Sequence, residues 1–335
     1  MLGLYASLGL VVVATVVIWR GAARFEGAAE RLSKHYGLPV AVHGAVVVAV
    51  GSSFPEISSV VISTLVHDEF SLGVGAIVGS AIFNLLVIPA VSALATDELA
   101  STRDIVHKDA QFYVISVLVL FVVFALGATY VPGGTNRAAL LTPTLALLPL
   151  ATYAIYVFLH QQDVSDHDPE VVTDVRPGRE WAMLVVGLLV IAVGVEGIVR
   201  AALSLGVIFD TPSFLWGLTV IAAATSLPDT FVSVRAARAG DSVTSLTNVL
   251  GSNTFNLLVA IPVGVLLAGS ATINFLAAIP TMGFLAVATL VFIVFTRTEL
   301  ELTDVEAYGF LALYAVFLAW MTLESVGVIE TVRGI

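Results

Sequence analysis

Cysteine is absent from this chain of 335 residues, and charged side chains are scarce. Without cysteine there is no disulfide, no thiol nucleophile and no thiolate metal site. Only 12% of the residues are charged and 58% are hydrophobic, against about 25% and about 45 to 50% in soluble domains. This composition excludes a water-soluble fold, and we expect an integral protein of the lipid bilayer.

The apolar residues gather in ten runs, each long enough to cross a bilayer as a helix of about 17 to 25 residues. The runs lie near residues 2–19, 39–66, 71–95, 110–128, 138–159, 181–203, 213–237, 243–268, 272–296 and 307–327. No positive charge precedes the first run, so we expect a retained helix and not a cleaved signal peptide. The sequence predicts an all-α integral membrane protein with ten transmembrane helices.

Charge places the loops on the two sides of the membrane. The net charge of −11 is carried mainly by loops, notably residues 161–180 and 297–306, which disfavours nucleic acid as a partner. Lysine and arginine of short loops stay in the cytoplasm. With the N-terminus outside, eleven basic residues lie inside and three outside. We therefore expect a multi-pass protein of the plasma membrane with both termini extracellular and residues 161–180 as a cytoplasmic acidic linker.

Two short motifs occur twice. "GSSFPEISSVVIST" at 51–64 matches "ATSLPDTFVSVRAA" at 224–237 with an offset of 173, and "GSAIFNLLV" at 79–87 matches "GSNTFNLLV" at 251–259 with an offset of 172. Five predicted crossings separate the copies, so the second copy is inverted. Inverted repeats with broken helices are typical of secondary transporters. We expect one five-helix repeat at 1–160 and a second at 181–335, with the motifs in 44–90 and 217–262.

The first motif places a proline and then a carboxylate inside an apolar run. Pro55 and Pro228 lack an amide hydrogen, so each should break its helix, the second and the seventh, and start a new half-helix. Glu56 and Asp229 then lie in first turns, where the helix dipole favours an anion. No lysine or arginine lies in either motif core. A metal cation or a proton must therefore offset each carboxylate at membrane depth.

The other polar groups of the motifs carry hydroxyl or amide oxygens. They are Ser52, Ser53, Ser80, Asn84, Thr225, Ser226, Ser252 and Asn256. Sulfur and imidazole are missing among them, which disfavours zinc, copper and nickel. Calcium and sodium are hard cations that take oxygen ligands of this kind. The motifs predict a site for a hard cation.

Together, "GSSFPE" with "GSAIFN" and "ATSLPD" with "GSNTFN" resemble the two alpha-repeats of the calcium/cation antiporter superfamily, in particular its prokaryotic sodium/calcium exchanger branch. The resemblance implies that calcium and sodium bind alternately in one central cluster. It makes Glu56 and Asp229 the principal ligands, assisted by the hydroxyl and amide groups just named. It also implies that helices 1 and 6, here residues 2–19 and 181–203, slide across the core.

The motifs depart from the family pattern at three places. Asp229 stands where glutamate is usual, and Asn256 stands where sodium/calcium exchangers often have aspartate. Ala81 and Ala76 replace the asparagines that the second copy keeps. The predicted site therefore holds two carboxylates, which balance one calcium ion or two sodium ions.

These features predict a secondary active antiporter that exchanges calcium for sodium by alternating access, not an enzyme, with no cofactor besides the transported ions. A calcium/proton or potassium-linked exchanger remains open within the same class. An uncoupled cation channel would need a selectivity filter, which the sequence does not offer. An intramembrane protease would need two facing carboxylates and a water path, whereas these carboxylates lie among hydroxyl groups. The oligomeric state is not encoded in these motifs.

Overall fold

A computed structural model describes residues 2–37, 49–96, 99–102, 108–130, 138–162, 175–298, 300–329 and 331. The chain is mostly helical. The helices are α1 (Leu4–His35), α2 (Ala49–Ser52), α3 (Phe54–Leu65), α4 (Phe70–Leu86), α5 (Ile88–Leu94), α6 (Ala110–Thr129), α7 (Pro143–Gln162), α8 (Pro177–Phe209), α9 (Ser213–Trp216), α10 (Ala222–Thr225), α11 (Leu227–Arg238), α12 (Ser242–Phe255), α13 (Ile261–Ala268), α14 (Phe275–Arg297) and α15 (Asp304–Ser325). Two π-helical segments, π1 (Gly217–Ile221) and π2 (Asn256–Ala260), join α9 to α10 and α12 to α13.

Among the described residues, seven helices are long and apolar enough to cross a membrane, or eight if the bent pair Ser213–Thr225 and Leu227–Arg238 is one span. The predicted multi-pass membrane protein is thereby confirmed. The second predicted span begins at residue 39, and residues 38–48 lie outside the described part of the chain. Ten spans remain a prediction.

Two spans form the centre of the molecule. In Phe70–Leu94 and Ser242–Ala268, 89% and 83% of the most apolar stretch is buried, against at most 44% in the other five spans. Both central spans carry the repeated glycine-serine motif. The sequence therefore places its polar motifs at the core, where side chains meet protein and not lipid.

Glycine allows the central helices to touch. A Cβ atom on Gly79 of α4 would overlap the carbonyl oxygen of Leu218 in π1, and one on Gly217 would overlap the carbonyl oxygen of Leu72. Small residues at such crossings let helix backbones pack closely in a membrane. This contact joins the first copy of the motif to the second.

The two longest helices, α1 and α8, pack against each other in antiparallel orientation. Gly21 lies on Ile191, where a Cβ atom would come within 2.9 Å of the backbone nitrogen. Gly194 lies in the same way on Ile18, with a corresponding distance of 3.0 Å. The outer faces of both helices are rich in exposed apolar residues, as expected where a helix faces lipid.

Four short strands qualify the prediction of an all-α fold. β1 (Leu99–Ala100) pairs with β4 (Glu301–Leu302), and β2 (Ala138–Leu141) pairs with β3 (Ala271–Asn274), both antiparallel. The predicted helices at 138–159 and 272–296 thus each begin as a strand. The strands pair backbone groups that would otherwise be left unsatisfied.

The first helix is longer than its apolar run. The apolar run near 2–19 ends before Arg20, yet α1 continues to His35. Residues 20–35 contain several alanines, glutamates and arginines, which favour helix. Buried Ala22, Phe25 and Ala29 hold this extension against the core.

Candidate cation site

The helix carrying each proline-carboxylate motif is broken at one residue. In the first copy α2 ends at Ser52, Ser53 forms a turn, and α3 begins at Phe54. In the second copy α10 ends at Thr225, α11 begins at Leu227, and the axis bends by 42°. Each new half-helix therefore begins one residue before the proline expected to start it. Proline is tolerated there because its missing amide hydrogen has no partner in a first turn.

Each predicted ligand side chain is fully buried. The ten residues are Ser52, Ser53, Glu56, Ser80, Asn84, Thr225, Ser226, Asp229, Ser252 and Asn256. Glu56 and Asp229 both lie in the first turns of their half-helices. The two carboxylates are close enough to interact electrostatically. Contacts between the copies gather most of this set into one cluster.

Each carboxylate is contacted from both copies of the motif. The hydroxyl of Ser80 donates to Oε1 of Glu56 at 3.4 Å. The hydroxyl of Thr225, in the break of the other copy, lies near this carboxylate and donates to the carbonyl of Ile221 at 3.1 Å.

At Asp229 the pattern is the same. Ser252 is the equivalent of Ser80, and Ser52 is the equivalent of Thr225; both hydroxyls reach the carboxylate. The amide of Asn84 also donates to Oδ2 of Asp229 at 3.3 Å. Each acid therefore has a serine from its own copy and a hydroxyl from the opposite break.

Hydroxyl groups join the copies directly. The Oγ atoms of Ser80 and Ser226 are 2.7 Å apart, and those of Ser52 and Ser252 are 3.1 Å apart. Hydroxyls both donate and accept, so these four side chains can turn their lone pairs toward a cation and keep a hydrogen bond.

Asn253 belongs to the cluster and was missed in the sequence. The amide of Asn84 donates to Oδ1 of Asn253 at 3.0 Å, and Nδ2 of Asn253 donates to the carbonyl of Ala81 at 3.1 Å. Ala81 is the counterpart of Asn253 in the first copy. The sequence comparison showed that the second copy keeps the asparagine that Ala81 replaces, but Asn253 was not included among the predicted ligands.

The contacts of Asn256 differ from those of its counterpart Asn84. Asn256 is fully buried, and both its amide nitrogen and its amide oxygen lack a hydrogen-bond partner among the described residues. The same is true of Oγ of Ser53. The structure thus brings both residues into the buried region of the motifs but records no contact from them to either carboxylate.

A hard cation fits the donor set of this cluster. Buried oxygens without a hydrogen-bond partner in the described part of the chain include Oε2 of Glu56, Oδ1 of Asp229 and Oδ1 of Asn84. Such orphaned acceptors are costly in a protein interior unless a cation or a proton binds them. Across the described residues, no three histidine, cysteine, aspartate or glutamate side chains lie close enough to hold one metal ion. Glu56 and Asp229 are the carboxylates among the ten predicted ligands.

A third acid outside the motifs lies beside this cluster. Glu26 of α1 interacts electrostatically with Asp229, and its Oε1 atom is buried without a partner among the described residues. Sequence reasoning missed it because Glu26 lies in α1, beyond the apolar run and far along the chain from both motifs.

The fold and these residues define a multi-pass membrane protein with two buried carboxylates, each in the first turn after a helix break. A sequence model of the sodium/calcium exchanger proteins matches residues 6–160 and 179–323, so the chain belongs to the sodium/calcium exchanger family. The resemblance inferred from the motifs is thereby confirmed. The protein is a cation-exchanging transporter and not an enzyme.

Known relatives match along almost the whole chain. An uncharacterized membrane protein of Methanocaldococcus jannaschii is 26% identical over 321 residues, which cover 94% of this chain and 98% of the relative. The sodium/calcium exchanger MaX1 of Methanosarcina acetivorans is 24% identical over 341 residues, 92% of this chain and 96% of that protein. The solved structure of the sodium-calcium exchanger NCX_Mj, soaked with Na⁺ and Sr²⁺, superposes with a TM-score of 0.64 at 23% identity. The superposition covers 95% of this chain and 99% of the NCX_Mj chain, and it shows that the two proteins share a fold.

Proposed function

We propose that this protein is a secondary active antiporter that exchanges calcium for sodium across the plasma membrane by alternating access. The cation site comprises Glu56 and Asp229 with the hydroxyl and amide groups around them. One observation carries the proposal: an acid from each copy of the motif lies in the same buried cluster, beside unpartnered oxygens. The names of MaX1 and NCX_Mj as sodium/calcium exchangers support this choice of ions.

Charge balance explains how one cluster couples two ion flows. A carboxylate buried without a partner costs several kcal/mol, so the cluster is stable only when cations offset it. One calcium ion or two sodium ions balance two carboxylates. Because calcium and sodium compete for the same oxygens, either can load the carrier but the empty carrier changes sides poorly. Because the empty protein would carry uncompensated buried carboxylates as it changes sides, the charge balance favours exchange over uniport.

The proposed architecture is ten helices in two inverted five-helix repeats, residues 1–160 and 181–335, joined by the cytoplasmic acidic linker 161–180. Reciprocal contacts support it. Gly21 packs on Ile191 and Gly194 packs on Ile18, and both glycines and both isoleucines are 173 residues apart, the offset of the motif. Each strand pair, β1 with β4 and β2 with β3, joins a strand of the first half to a strand of the second half. This pairing is consistent with two halves related by a two-fold axis.

The basic residues support the proposed orientation, in which both termini are extracellular. α1 ends with Lys34 and His35, and α11 ends with Arg235 and Arg238. Glu30 of α1 and Arg235 of α11 border a common cavity, so these two helices end on one side of the molecule. By the distribution of lysine and arginine, that side is the cytoplasm.

Proteoliposomes test the coupling. Vesicles containing purified protein are loaded with sodium and diluted into sodium-free buffer with radiolabelled calcium; the control vesicles have equal sodium on both sides. We expect calcium uptake only with the outward sodium gradient. Equal uptake in both preparations would contradict sodium coupling. Uptake driven instead by a proton or potassium gradient would identify the alternative exchangers, and flux without any counter-gradient would indicate a channel.

A further inference from the structure

Glu26 of α1 reaches the edge of the cation cluster. Its stem lies against the broken helix of the first copy, where a Cβ atom on Gly51 would be 3.9 Å from Cγ of Glu26. Gly51 is adjacent to Ser52, whose hydroxyl reaches Asp229. Oε1 of Glu26 is buried and has no hydrogen-bond partner within the described ranges.

A cavity of about 500 Å³ lies between α1 and α11 and is bordered by Glu26. Its lining continues along α11 through Val232 and Arg235 to Asp241, beyond the end of that helix. Glu26 lies in the part of α1 that packs beside the broken turn, and Asp241 lies at the N-terminus of α12. The cavity thus extends from the end of α11 to Glu26.

The other acidic residues that line the cavity have hydrogen-bond or ion-pair partners, and the remaining charged residue is basic. Glu30 pairs with Lys34 at 2.7 Å, and Asp241 accepts a hydrogen bond from the backbone of Thr244 at 2.9 Å. Arg235 is the one basic residue among the described lining residues. Glu26 is therefore the acid of this cavity, in the described part of the chain, that carries a buried oxygen without a hydrogen bond.

We propose that Glu26 is a staging site for a hydrated cation on its way between the cavity and Asp229. The inference rests on the proposed exchange function and adds a second binding position to it. Among the described residues, no three acidic side chains are close enough to share one ion. Glu26 therefore binds the cation before or after Glu56 and Asp229 bind it, and not together with them. A negative charge in a cavity raises the local concentration and the arrival rate of cations.

Sided calcium exchange in proteoliposomes tests this position. Glu26→Gln keeps the shape and removes the charge, and we expect about a three- to tenfold higher KM for calcium at the face where the cavity opens. The KM at the opposite face should not change. Glu30→Gln is the matched control, because Glu30 borders the same cavity but is exposed and paired with Lys34. It should raise the KM by about twofold at most at that face, the size expected for an exposed charge, and leave the KM at the opposite face unchanged.

A second variant tests the effect of the electrostatic potential of the cavity and leaves Glu26 unchanged. Arg235→Gln removes the positive charge of the cavity at an exposed position and should lower the KM by about twofold at that same face. The staging site is refuted if exchange by the unmodified protein is normal while Glu26→Gln matches it at both faces, or if Arg235→Gln raises the KM. A Glu26→Gln variant that loses pH dependence but keeps its calcium KM would identify a proton site and would also refute the proposal. Absence of exchange in the unmodified protein would instead overturn the proposed function.

Discussion

Asn253→Ala would remove a side chain that holds one of the proposed ligands in place. Asn253 accepts a hydrogen bond from Asn84 at 3.0 Å and donates one to the carbonyl of Ala81 at 3.1 Å. Asn84 in turn donates to Asp229. Each buried hydrogen bond contributes about 0.5 to 1.5 kcal/mol, so losing both should lower the free energy of unfolding by about 1 to 3 kcal/mol.

Calcium affinity should fall as well, because Asn84 can rotate away from Asp229 once Asn253 is gone. If about 1.4 kcal/mol of the lost hydrogen-bond free energy stabilises only the ion-bound state, the dissociation constant for calcium rises about tenfold. Thermal unfolding in detergent measures the first effect, and calorimetric titration with calcium measures the second.

Asn248→Ala is the matched control for this experiment. Asn248 lies on the same helix, and its amide donates to Ser233 at 3.0 Å, away from the carboxylates. The control should lose about 0.5 to 1.5 kcal/mol of stability and keep its calcium affinity. Equal calcium affinity in the two variants would refute the role given to Asn253.

Two other changes have clear expected outcomes. Gly79→Ala would place a methyl group on the carbonyl oxygen of Leu218 and should destabilise the protein by about 1 to 3 kcal/mol. Gly283→Ala is the control: the space around Gly283 is open, so this change should stabilise the protein by about 0.4 to 1 kcal/mol. Thermal unfolding that ranks the two variants in the reverse order would contradict the packing of the two copies. Asn256→Asp adds a third carboxylate to the buried cluster and should make calcium uptake depend more steeply on the sodium gradient; an unchanged sodium response would show that Asn256 lies outside the ion path.

The sequence predicted the membrane class, the family and the positions of both helix breaks to within one residue. It did so because each of these depends on local chemistry: apolar composition, a proline and the order of residues in a motif. The offset between the copies also predicted that Glu56 and Asp229 belong together. That inference needs no distances, since the proposed inverted arrangement would place the ion site where the two copies meet.

Tertiary contacts were harder to predict. Asn253 was passed over because its counterpart in the first copy is Ala81, so the comparison of the copies gave no second asparagine at that position. Glu26 was passed over because its neighbours Gly51 and Asp229 are distant along the chain. Helix α1 was predicted too short, since the length of an apolar run does not limit a helix that continues with alanine, glutamate and arginine beyond it.

Equilibrium binding of calcium to the purified protein tests the central claim most directly. Isothermal titration in sodium-free buffer would compare the unmodified chain with Glu56→Gln and Asp229→Asn, and with Glu30→Gln as control. Removing one member of a buried charged group costs about 3 to 5 kcal/mol, so each of the two variants should bind calcium at least about a hundredfold more weakly. The control should bind as the unmodified chain does. Near-normal calcium affinity in either the Glu56 or the Asp229 variant would contradict a cation site built from both carboxylates.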